Sequence, residues 1–182
     1  MAETLLSTVV GTLRRDVHDY WIGAAHPVPF FDRPVRVVFK VPRNDESFLA
    51  DADAALQAFL QKNSTDREAL SEPVFEMCSQ FIELTGLEDT VELFRSLEEP
   101  EAWHLRVLQR EAPLLEIRSP KEIWNFVDPQ EILLRRFDDG RGACVYVQLL
   151  CACAWDDEHG IQILFRNGTD VARISEQDGA LV

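Results

Sequence analysis

The hydrophobic period of this chain changes twice, and that switch constrains the fold more than any single motif. In "VRVVFKV", Val35, Val37, Phe39 and Val41 alternate with Arg36 and Lys40, the period of two that a strand with one buried face requires. Beyond Pro42, the residues Phe48, Leu49, Ala52, Ala55, Leu56, Phe59 and Leu60 recur at three- and four-residue spacing. That places them on one face of a helix over about residues 47–61, with Asp51, Asp53 and Gln57 off the stripe. The period of two returns in "ACVYVQLLCACAW", which is apolar on both faces and therefore reads as a central strand. Strands, then helices, then strands point to an α+β fold.

Local signals set the boundaries. Before residue 41, "STVVGTLRRDVHDYWIG" carries β-branched and aromatic residues between charges, so strands are expected over about residues 8–41. A second helix opens at a capping box, Thr65 to Glu68, should bend or split at Pro73, and ends at Gly86 in a left-handed conformation. Residues 88–118 are ambiguous: Val91 to Leu97 suits a short helix, while Leu105, Val107, Leu114, Leu115 and Ile117 fit either structure. Ser119, Pro120 and Glu122 then start a helix over about residues 120–127, which Pro129 should stop. From about residue 131 to 175 the pattern is a strand meander, with Asn167–Gly168 as a hairpin turn because both residues tolerate positive φ. With 46% hydrophobic residues over 182 positions and no linker, the expectation is a single domain over residues 1–182. Its sheet would be an antiparallel meander with a central helical segment packed on it.

Charge narrows the partners. Acids outnumber bases 32 to 18, a net charge of −14, and residues 45–101 alone hold 15 acids against three bases. Such a field repels a phosphate backbone and attracts a basic surface. The expected partner is therefore a basic protein and not nucleic acid, met by an acidic helical face that includes Asp51, Asp53, Glu88, Asp89 and Glu92. No signal peptide or membrane span is apparent, and Cys78, Cys144, Cys151 and Cys153 lie inside apolar segments, as suits reduced thiols in a cytoplasm.

The densest chemistry is "CACAWDDEHG". His159 beside Asp157 and Glu158 could act as a general base, the core of a hydrolase or metal-dependent enzyme. Adjacent turn residues cannot all converge on one point, however, and no nucleophile motif accompanies them. Cys151 and Cys153 could ligate zinc, but no second pair closes a tetrahedron. No metal or cofactor is expected. The turn reading explains more: Asp156 and Asp157 can cap backbone amides, Gly160 supplies a positive φ, and Trp155 covers the core. His18, His26 and His104 are isolated, and Trp21, Trp103 and Trp124 should pack.

"FFDRPVRVVFKV", the "ALQAFL" helix and "CAWDDEHGIQILFRNG", with "DG" near the end, resemble an uncharacterised bacterial family. Its members share a late W-x-x-E-H-G turn between two strands, here Trp155, Glu158, His159 and Gly160. The resemblance covers most of the chain outside Glu88 to Ile117. It implies an α+β fold, no established activity and a likeness to immunity proteins that neutralise bacterial toxins; its positions to test as a shared site are Glu158, His159 and Gly160, within the candidate site Trp155, Asp156, Asp157, Glu158 and His159.

Overall fold

The computed structural model describes residues 4–42 and 45–181; residues 1–3, 43–44 and 182 of the expected domain lie outside that set. Four strands come first: β1 (Thr4–Ser7), β2 (Gly11–Arg15), β3 (Trp21–Val28) and β4 (Arg33–Lys40). Five α-helices follow, α1 (Phe48–Phe59), α2 (Ser64–Glu68), α3 (Ser71–Thr85), α4 (Leu87–Arg95) and α5 (Ala102–Arg110), then two 3-10 segments at Ala112–Glu116 and Pro120–Phe126. Four more strands close the chain: β5 (Val127–Asp138), β6 (Ala143–Cys153), β7 (Ile161–Arg166) and β8 (Asp170–Glu176).

All eight strands form one sheet in chain order, but it is not a pure meander. Residues Arg36–Lys40 of β4 pair in parallel with Glu131–Arg135 of β5, while every other neighbouring pair is antiparallel. An antiparallel partner can follow a tight turn, whereas a parallel one needs the chain carried back to the same end of the sheet. The whole helical segment is that crossover.

Cross-strand partners share a face, so the pairing separates two surfaces. Phe39, Leu134, Val147 and Phe165 form one row facing the helices, all buried. Helix α1 seals this side with Phe48, Ala52, Ala55, Leu56 and Phe59. Phe59 and Phe165 stand 5.1 Å apart between ring centres, each in contact with Phe30. On the other side, Lys40, Arg135, Tyr146 and Arg166 make a polar row.

Several local expectations shift. The capping box of α2 uses Asn63 and Asp66, not Thr65 and Glu68: Asn63 Oδ1 accepts from Thr65 N at 2.8 Å and Asp66 Oδ2 from Asn63 N at 2.8 Å. The helix does split upstream of Pro73, which occupies the first turn of α3, and Gly86 terminates α3 at φ 60°. Glu122 caps the Arg118 amide, and Ser119 makes no side-chain cap. Pro129 does not precede the strand but sits inside β5, where the register with β6 shifts between Pro129 and Glu131; a bulge tolerates the missing N–H. The ambiguous residues 88–118 contain most of α4, all of α5 and the first 3-10 segment, joined by short turns, and no strand.

Candidate functional site

Trp155, Asp156, Asp157 and Gly160 of "WDDEHG" each have a local structural task. Asp156 Oδ1 accepts from the amides of Glu158 at 3.1 Å and His159 at 2.9 Å, which folds the chain back between β6 and β7. Gly160 has φ 65°, and a Cβ there would overlap the carbonyl oxygen of Cys151. Trp155 is buried in the core, and Asp157 pairs with Arg110 of α5. The His159 ring is more than half exposed and has Asp156 as its charged neighbour, Nδ1 to Oδ1 3.4 Å.

A shallow concavity of about 300 Å³ joins this turn to the far side of the sheet. It brings His159 and Glu158 together with Arg36, Glu131 and Gln177, and does not include Asp16 or His18. Arg36 is paired with Glu131, and Gln177 Nε2 donates to the carbonyls of Cys151 and Ile161. No hydroxyl or thiol side chain lines it. Its chemistry is that of an acid-rich polar surface with one titratable imidazole.

Among the described residues no group of three or more His, Cys, Asp or Glu is placed to hold a metal ion. The thiols are all buried. Burial is the main cause that pushes Cys78 up to about 11 and Cys153 up to about 12, and it raises Cys151 further still. A buried thiol that resists ionisation is a small hydrophobe and a poor metal ligand. No described helix is long and apolar enough to cross a membrane.

The acidic face divides. Asp53 is not on the surface: it is buried, accepting from Ser7 Oγ at 2.5 Å and from Thr8 N and Oγ1 at 2.6 and 2.8 Å. It ties α1 to the β1–β2 turn. Asp51 is exposed but paired with Arg136 at 2.6 Å. Glu88, Asp89 and Glu92 lie exposed on α4, which packs against α3, α5 and the first 3-10 segment, whereas α1 packs on β1, β5 and β6.

What the sequence reading passed over is the apolar component of that helical surface. Leu84 is 86% exposed, Leu93 59%, Leu105 43% and Trp103 50%, so Trp103 does not pack as expected. Its ring meets Phe94 edge-on at 5.0 Å, and Nε1 donates to Glu101. The signal was the spacing in "AWHLRVLQR": once Val107 and Leu108 face inward, Leu105 falls on the opposite side and Trp103 at the flank of the stripe. Over residues 83–101 the same stretch carries seven acids and one base.

No curated protein and no solved structure gives a significant match to the chain. A family model does, over residues 9–181, nearly the full length and both sheet halves with their crossover. The chain belongs to the family described as Domain of unknown function (DUF6985).

Proposed function

We propose that this is a non-enzymatic protein-binding module of the immunity-like kind, in which the surface of α3, α4 and α5 receives a basic protein. One observation carries the reading: Leu84, Leu93, Trp103 and Leu105 are exposed on three consecutive packed helices whose intervening polar positions are mostly acidic. Interfaces combine apolar and aromatic anchors with a charged rim; the anchors supply most of the affinity, and the charges set the association rate and exclude wrong partners. A bland role for some of these acids coexists with it. Glu88 and Asp89 occupy the first turn of α4, where carboxylates stabilise a helix by about 0.3–1 kcal/mol each.

The test separates the two roles. Immobilised protein is challenged with source lysate at about 0.1 M and 1 M salt, where the Debye length falls from about 10 Å to 3 Å. A basic protein should be captured faster at low salt, and lost when Leu93 and Trp103 become Ser or when Glu88, Asp89 and Glu92 become Gln, Asn and Gln, with circular dichroism unchanged. Capture indifferent to both variants would refute the reading.

A second reading, an enzyme centred on His159, has the concavity shared with Arg36 and Glu131 in its favour. A hydrolase activity abolished by His159→Gln, without loss of stability, would support it.

A further inference from the structure

We propose that the cleft at the β5–β6 hairpin end of the outer sheet face binds a small, multiply charged oxyanion, a phosphate or polycarboxylate, gripped by Arg141 and Arg166. The cleft encloses about 410 Å³ and is lined by Asp139, Arg141, Tyr146, Arg166, Asp170 and the start of β8. That volume lies within the range of small-molecule sites.

The floor is prearranged. Arg166 Nε donates to Asp139 Oδ2 at 2.8 Å, the Tyr146 hydroxyl donates to the same oxygen at 3.0 Å, and the Arg141 amide donates to Oδ1 at 2.9 Å. These three donors hold Asp139 down to about 2 and leave it little capacity for another cation. They also fix the guanidinium of Arg166 by one edge. The Arg166 guanidinium makes no other hydrogen bond or ion pair among the described residues, so its two terminal nitrogens remain available. Arg141 is exposed on the hairpin loop, and its side chain has no partner among the described residues.

Asp139 and Asp170 offset the two arginines within the cleft, and the outer row beside it adds positive charge. Arg135 stands beside Tyr146 in the same row, and Lys40 is directly opposite Arg135 on the parallel strand. Among the described residues neither has a carboxylate partner: Arg135 reaches only Gln148 Oε1, at 3.5 Å, and Lys40 lies over the Tyr20 ring at 5.8 Å. Like charges placed opposite each other in a sheet are destabilising. This chain has 32 acids for 18 bases, so carboxylates to neutralise them were not scarce. Fixing the hairpin loop explains Asp139, Tyr146 and one edge of Arg166, but not Arg141, Arg135 or Lys40. An oxyanion held between the guanidinium forks of Arg141 and Arg166 accounts for Arg141 by charge-assisted bonds, which are the strong ones, while Arg135 and Lys40, outside the cleft, contribute their charge at longer range.

Isothermal titration of the intact chain with pyrophosphate and with citrate, at constant ionic strength, tests the site. At least one probe should bind, and Arg141→Gln should weaken it about tenfold or more. Arg135→Gln should weaken it less, and Arg95→Gln on α4 should leave it unchanged. Pyrophosphate alone would identify a phosphate ligand, citrate alone a carboxylate ligand, and both a site selective for charge. No binding of either probe, or equal affinity in wild type and Arg141→Gln, would overturn the proposal. Arg141 is exposed and its side chain is unpaired among the described residues, so its substitution does not threaten folding.

Discussion

Asp51 and Asp53 are two residues apart on one helix, and their surroundings give them opposite roles. Asp53 is 5% exposed and takes hydrogen bonds from Ser7 and Thr8, whereas the Asp51 side chain is half exposed beside Arg136. Asp53→Ala strands the buried Ser7 hydroxyl and frees the β1–β2 turn, so a loss of about 3 kcal/mol is expected in urea unfolding. Asp51→Asn should cost less than about 1 kcal/mol, as exposed ion pairs do. Neither role could be read from helical periodicity, which places both residues off the apolar stripe but does not reveal that β1 and the turn after it meet α1. Asp139 makes the same point through pH. Its folded pKa of about 2 lies below the ordinary carboxylate value of about 3.9. Its contribution is therefore present above about pH 4 and lost as pH falls from there through about 2. Tyr146 is raised to about 12, by burial first and by its bond to Asp139 second, so its contribution is full below about pH 10 and lost as pH rises through about 12. Stability measured against pH should lose less on the acid limb in Asp139→Asn and less on the alkaline limb in Tyr146→Phe. Unchanged limbs in both variants would deny the coupling. Asp51, Glu68 and Asp178 are also lowered by cationic neighbours and will keep part of the acid limb in place.

Elements whose two ends carried their own punctuation were legible: α1 from its stripe, the end of α3 from Gly86, and the β7–β8 hairpin from Asn167 and Gly168, at φ 49° and 75°. The structure also gives "DDEHG" the geometry of a connection, with Gly160 at its one position of positive φ. If that is its main task, His159→Ala should change stability by less than about 1 kcal/mol, because the ring is exposed. Gly160→Val should cost more than about 3 kcal/mol, combining a left-handed backbone with overlap on the Cys151 carbonyl. Thermal unfolding of the two variants checks this, and a large loss on His159→Ala would point to a role that its exposed geometry does not explain. Elements were illegible where tertiary contacts decided them. Helix α5 has no fully buried residue, and its Trp103, Leu105 and Val107 alternate as a strand's would, and the parallel β4–β5 pairing leaves no mark in either strand's alternation.

That parallel pairing governs the molecule as a whole. Val37 and Phe39 before the crossover lie directly beside Ile132 and Leu134 after it, and all four belong to one core with residues of α1, α3, α4 and the 3-10 segments. Helix α1 packs on β1 before the crossover and on β5 and β6 after it, so each half of the sheet completes the burial of the same helix. Charge follows the same division: acids concentrate on the crossover helices, while Lys40, Arg135 and Arg166 share the sheet's outer row. A helical insert that folded by itself would break this interdependence. Trp103 and Trp124 report on the crossover, Trp21 and Trp155 on or beside the sheet, so tryptophan fluorescence and far-ultraviolet circular dichroism sample both parts. In urea the two signals should give one coincident transition. Val37→Ala in β4 should lower both midpoints equally, since it opens a cavity in the shared core worth about 2–4 kcal/mol. Non-coincident transitions, with helical dichroism persisting beyond a fluorescence change that Val37→Ala shifts to lower urea, would show that the crossover helices are stable without the sheet, and that the core is two cores.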